Sequence, residues 1–194
     1  MVQSVLQPRQ VVTKHSSAKL TYDDYVQFPD DGLRHEIIEG EHYVSPSPQT
    51  AHQRILVELS YLVRHYLETN PIGEMFFAPF DVLLSEFNVL VPDLIVLTHV
   101  RSQFLTSKNL QGAPDLLVEI LSPSTAARDR KLKRDVYERH GVDEYWVVSP
   151  QQRTVHVHRR QGQTFAPPIE LGATDVLTTS ILPGLELPLQ KIFA

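Results

Sequence analysis

Residues 116–121, LLVEIL, are apolar except for one carboxylate, Glu119. The run is too short for an ordinary helix and too apolar for a half-exposed strand. It reads as a strand, Asp115 to Leu121, buried on both faces, and such a strand demands layers packed above and below it. An ionised carboxylate in that setting costs several kcal/mol unless it is paired or binds a metal. Glu119 therefore needs a partner.

The rest of the chain supplies the layers. SPSPQTAHQRILVELSYLVRHYLET is the clearest helix: Ile55, Leu59, Leu62, Val63 and Tyr66 form one stripe, and His52 falls on the same face. Thr50 to Gln53 has the pattern of a capping box, with Ser47-Pro48 as an alternative start, and Pro71 and Gly73 end the helix. A short helix begins after Thr21 and stops at Pro29, and HEIIEGEHYV, residues 35–44, reads as a hairpin turning at Glu39-Gly40. Strands are expected over Met75 to Ser85 and Val89 to Leu97, with room for some helix between Thr98 and Gly112. A helix from about Arg128 to Arg139, closed by Gly141, leads to a strand at Glu144 to Ser149. A half-exposed strand, Thr154 to His158, and an apolar tail around Pro183-Gly184 complete the chain.

Helix, three strands, helix, strand and then peripheral hairpins define an α/β fold with a mixed central sheet flanked by helices. Residues 1–18 are polar and aperiodic and read as a flexible segment; 19–194 read as a single domain of a length that buries a conventional core. The chain has no cysteine, hence no disulfide framework and no thiolate metal site, and no run of about 18 apolar residues that could span a membrane. A cytoplasmic protein is expected. The formal charge of −5 excludes a generally basic nucleic-acid binder. The basic stretches Arg128 to Arg139 and Arg153 to Arg160 serve equally well as local binding patches or as solvated faces.

Helical projection of residues 128–140 sorts the charges. Lys131, Arg134, Asp135 and Glu138 share a solvent face, while Leu132, Lys133, Val136 and Tyr137 share the face that should meet the core. Lys133, not Lys131, is thus aimed inward, either to snorkel its ammonium to water or to meet Glu119. Asp93, after Pro92 in NVLVPDLIVL, is a second acid within an apolar strand. Asp115 lies four residues from Glu119, roughly 13 Å along a strand at about 3.3 Å per residue, too far to share an ion comfortably. Asp93 and Glu119 on neighbouring strands can ligate one divalent cation, and two acids with a lysine suit metal-assisted phosphodiester hydrolysis. Carboxylate-binding or sugar-binding sites, and a purely structural Glu119–Lys133 ion pair, use the same residue types.

Pro92-Asp93 followed by Glu119-Ile120-Leu121 resembles the PD-(D/E)xK nuclease superfamily, with its restriction-endonuclease-like core. HEIIEGE, SPSPQTAHQRI, VPDLIVL, GAPDLLVEILSPSTAARDRKLKRDVYERHGVDEYWVV and LPGLELPL together resemble the Uma-two family, grouped with restriction endonucleases, over about Tyr22 to Phe193. The superfamily lysine two residues after the glutamate is Leu121 here, and Lys133 on the following helix takes its place. The resemblance implies a further acid in the first hairpin, Glu36, and a histidine at the start of the long helix, His52. By composition alone Glu36 would be an exposed hairpin residue, and His52 a hydrogen-bonded histidine at the core edge.

The expectation is a magnesium- or manganese-dependent DNA endonuclease: Asp93, Glu119 and Glu36 as ligands, Lys133 as the water-activating or phosphate-stabilising cation, His52 orienting water or phosphate. By analogy a homodimer would suit the cutting of two strands. The alternative is a non-catalytic module, binding nucleic acid or protein, that keeps the nuclease fold.

Overall fold

The computed structural model describes residues 18–122 and 129–194; the N-terminal segment and the Pro123 to Arg128 connection lie outside the described residues. A single turn of helix, α1 (Tyr22–Tyr25), precedes the hairpin of β1 (Arg34–Ile38) and β2 (Glu41–Ser45). Its turn residues Glu39 and Gly40 have φ of 57° and 82°. Both are left-handed, as a two-residue hairpin turn compatible with strand twist requires. A Cβ at Gly40 would sit 2.6 Å from Lys19 Cβ, so glycine is needed for space as well as for φ.

The long helix α2 (Thr50–Thr69) buries His52, Ile55, Leu56, Leu59, Val63 and Leu67, the stripe that 3.6-residue periodicity selects. Its expected capping box does not form. The helix starts one residue earlier than a Thr50 cap requires: Gln49 is the N-cap, and no side chain caps the end.

The two strands expected over Met75 to Ser85 and Val89 to Leu97 are each divided at a proline. Gly73–Phe77 (β3) and Val82–Ser85 (β4) flank Pro79, while Asn88–Leu90 (β5) and Leu94–Thr98 (β6) flank Pro92. Proline has no N–H for the ladder, and at both points the chain changes sheets. β4 and β5 join the hairpin in an antiparallel sheet of order β2-β1-β5-β4.

β3 and β6 belong to the central sheet, completed by β7 (Leu116–Ile120), β8 (Glu144–Ser149), β9 (Thr154–Gln161), β10 (Thr164–Phe165) and β11 (Ile169–Gly172). Its order is β10-β9-β8-β7-β6-β3, with β11 also on β9. The β7–β8 pair is parallel and its other pairings are antiparallel, so the sheet is mixed as expected. Between β6 and β7 the only helix is one 3₁₀ turn, Ser102–Phe104. A small ribbon of β12 (Val176–Thr178) and β13 (Glu186–Pro188) leads into a terminal turn of helix, Leu189–Ile192.

The helix after β7 also differs from expectation: Asp129–Lys133 forms a turn of π-helix that runs into α-helix Arg134–Arg139, ending at His140 and Gly141. Alternation along the central strands builds two cores. One face packs Leu94, Val96, Val118 and Trp146 against Ile55, Leu59 and Val63 of α2. The other packs Ile95, Leu97, Leu117, Tyr145 and Val147 against Val136 and Tyr137. Each fully buried aliphatic side chain contributes on the order of 1.5–3 kcal/mol, so the sheet is held firmly from both sides. No helix among the described residues is long and apolar enough to cross a membrane.

Candidate active site

Strand periodicity places Glu119 on the face of Leu117, the face covered by the helix that carries Val136 and Tyr137. Glu36 comes from β1, and its Oε1 accepts the Val91 N–H at 3.0 Å, which ties the smaller sheet to the chain crossing that leads into β6. Lys133 ends the π turn. Its Nζ lies 2.7 Å from Glu36 Oε1 and 2.8 Å from Glu119 Oε1, so one ammonium joins the two sheets. Helical projection separates the lysines correctly: Lys133 is buried and Lys131 is exposed. Tyr137, one helical turn on, donates its hydroxyl to Glu119 Oε1 at 2.7 Å. Burial and then the charges of Glu119 and Glu36 push that phenol well above its ordinary pKa, so it remains a donor.

Asp93 stands beside this cluster. Leu94 pairs with Val118, and the next step along the ladder brings Asp93 to the Glu119 end of β7, where Asp93 Oδ2 accepts the Ile120 N–H at 2.7 Å. His52 Nε2 lies 3.0 Å from the same oxygen, and Arg34 donates to Oδ1 at 2.9 Å. Burial raises the Asp93 pKa, but the His52 hydrogen bond, the Arg34 and His52 charges and the Ile120 amide outweigh it and hold the carboxyl below its usual value. Burial opposes the charge on Arg34 in turn, while Asp93 and then Glu119 raise its pKa. His52 Nδ1 is buried and has no hydrogen-bond partner among the described residues.

The four charged residues are almost wholly removed from water: Glu36 is 0 % exposed, Asp93 1 %, Lys133 1 % and Glu119 2 %. Placing ions there costs several kcal/mol each, which their mutual attraction offsets only with close geometry of the kind seen. Among the described residues, no three Asp, Glu or His groups converge as a ready-made metal cluster. The side chain of Asp129, four residues before Lys133 and so one helical turn from it in sequence, lies outside the described residues.

Sequence periodicity missed Arg34. The signal was its i, i+2 spacing from Glu36, which puts both on one side of β1. The rival acid Asp115 lies at the opposite end of β7, where it accepts the Thr98 N–H at 2.7 Å and pairs with Arg101 at 3.2 Å. That is the strand-entry role expected of it.

A mixed sheet with carboxylates and a lysine gathered at the end of its central strands is the arrangement of a nuclease-type α/β fold. The structure matches the crystal structure of a protein described as a putative nuclease belonging to DUF820 from Anabaena variabilis, with a TM-score of 0.76 and 23% identity, over 90% of this chain and 97% of that one. An uncharacterized protein of Synechocystis, slr1290, is 30% identical over 140 residues, 68% of this chain and 69% of its own. Residues 22–190 match the Uma2 family, described as "putative restriction endonuclease", and the chain belongs to that family.

Proposed function

We propose that the protein is a metal-dependent endonuclease that hydrolyses phosphodiester bonds in DNA. The observation that carries this reading is a pair of adjoining buried ion clusters, Lys133 with Glu36 and Glu119, and Arg34 with Asp93, drawn from separate parts of the chain. The donors that Asp93, Glu119 and Glu36 present are all hard oxygens. That set fits Mg²⁺ or Mn²⁺. Asp93, Glu119 and Glu36 would hold the ion, which when bound polarises a phosphoryl oxygen and lowers the pKa of a coordinated water.

The chain's own groups do the rest. Lys133 supplies positive charge to the attacking water or to the phosphoryl oxygen. Tyr137 fixes the rotamer of Glu119. His52, expected from sequence to orient water or phosphate, acts through Asp93 by holding its Oδ2, and Arg34 holds the other oxygen. The mutual neutralisation of these groups also favours a second reading, a non-catalytic module stabilised by the same ion network.

Nicking of supercoiled plasmid in magnesium or manganese separates the two. Asp93→Ala should reduce cleavage by at least about 1,000-fold, as loss of a group essential to the chemistry does. Cleavage undiminished in the variant removes the nuclease reading.

A further inference from the structure

A cavity of about 910 Å³ opens beside the carboxylates, between the α1 segment, α2 and the end of β3. It adjoins the candidate site at two independent points. Arg34 lines it and simultaneously holds Asp93, and Ala78, also in its wall, donates its N–H to the Asp93 carbonyl at 3.1 Å. Phe28, Leu33, Val57, Phe77 and Pro79 give its wall apolar and aromatic faces among polar residues such as Gln53 and Ser60. Val57 is 61 % exposed and Phe77 58 %. Large apolar side chains left in water singly are ordinary, but several around one concavity mark a binding site.

The electrostatics limit what can enter. Among the described lining residues the ionisable side chains besides Tyr25 are Asp30, Arg34, His35 and Asp81, giving one permanent cation against two acids. Duplex DNA carries one charge per about 1.7 Å, and its binding proteins neutralise many phosphates at once. Within the basic stretches noted in the sequence, Arg134 pairs with Asp135 and Glu138, Arg139 with Glu39, Arg159 with Glu144 and Arg160 with Asp143, so the charge of these four arginines is met within the chain. A groove with aromatic faces and one arginine suits a different ligand. Unpaired bases stack on aromatic rings without regard to sequence, and Arg34 offers a cation for a phosphate beside them.

Resting on the phosphodiesterase reading above, we infer that the groove receives unpaired nucleotides flanking the scissile phosphate, and that the substrate is single-stranded DNA. Phe77 provides a stacking face next to Asp93, and Arg34 takes the adjacent phosphate.

The test is fluorescence anisotropy of the full chain, without divalent metal, with a labelled single-stranded 12-mer and with its blunt duplex, followed by cleavage of both in manganese. The single strand should bind at least about 10-fold more tightly than the duplex, and Phe77→Ala, at an exposed position, should weaken that binding by about 5- to 100-fold. Val57→Glu, which sets a carboxylate in the path of the phosphates, should weaken it as well. Equal or tighter binding of the duplex, or single-strand binding that neither variant alters, overturns the inference. Duplex cut while the single strand is left intact also overturns it and leaves the nuclease reading standing. Single-strand binding that depends on Phe77 without cleavage of either substrate upholds the groove and removes the nuclease reading instead.

Discussion

Strand β7 carries a carboxylate cluster at each end, and the two are built differently. At its start Arg101 faces Asp115 and Asp143, and the same guanidinium donates to the carbonyls of Ala113, Pro114 and Gly141. Its donors are divided between carbonyls and these two acids, so it fastens loops together. At the far end Lys133 holds Glu36 and Glu119, and Arg34 holds Asp93 together with one carbonyl, that of Val91. A cation spent on carbonyls staples a fold; cations spent on carboxylates tie together the acids of the candidate site. The same residue types thus give a clamp or a candidate catalytic centre according to where the remaining hydrogen-bonding capacity goes.

The sharpest break of this contrast is Lys133→Met. It should lower cleavage by about 1,000-fold, and it should lower stability by about 3–5 kcal/mol because two buried carboxylates lose their counter-charge. Adding Glu36→Leu and Glu119→Leu should restore stability in denaturant melts while cleavage stays absent. If the triple variant is still as unstable as the single one, the lysine is not acting on stability through these acids.

Arg101→Ala works the other way. It should cost about 2–4 kcal/mol in the same melts, since it strands a buried acid and several carbonyls, with cleavage per folded molecule unchanged. A selective loss of activity would merge the two clusters into one functional system.

Magnesium sharpens the contrast more gently. At 100 times its dissociation constant, a ligand specific to the folded state adds about 2.7 kcal/mol. The wild type and Arg101→Ala should both gain, and Glu119→Gln should not, as read from the shift in melting temperature. An equal shift in Glu119→Gln would place any bound ion elsewhere.

The smallest effect lies away from both clusters. His158 on β9 is buried and stacked on Tyr145 at 5.6 Å, and burial, then the nearby Arg134 charge, lowers its pKa to about 4. The folded state therefore favours the neutral ring, and the unfolded chain binds more protons between about pH 6.5 and 4. This stabilisation is complete above about pH 6.5 and is lost as pH falls toward 4, by about 1–2 kcal/mol after allowing for solvent screening. His158→Leu should flatten the acid limb of stability against pH; an unchanged limb assigns the loss to carboxylates alone.

What the sequence made legible was local. The buried face of α2, the Glu39-Gly40 turn, the buried character of β7 and the inward aim of Lys133 all follow from periodicity over a few residues. The divided strands were signalled by Pro79 and Pro92 but read as continuous, because apolarity persists across both breaks. Arg34 shares a side of β1 with Glu36, but its contact was beyond local reasoning: Asp93 is 59 residues away, and the two meet only because one sheet docks on another. The π turn before Lys133 has no periodic signature of its own, so a plain helix was the natural expectation.

That docking has a consequence for when the molecule becomes chemically competent. Glu36 and Arg34 ride on the hairpin sheet, Glu119 on the central one, and Lys133 arrives last along the chain. A nascent chain, or one whose hairpin has peeled away, holds each ingredient and no centre. Assembly itself is the safety catch on a nuclease of this design, and hydrolytic activity should report that both sheets and the closing helix are in place.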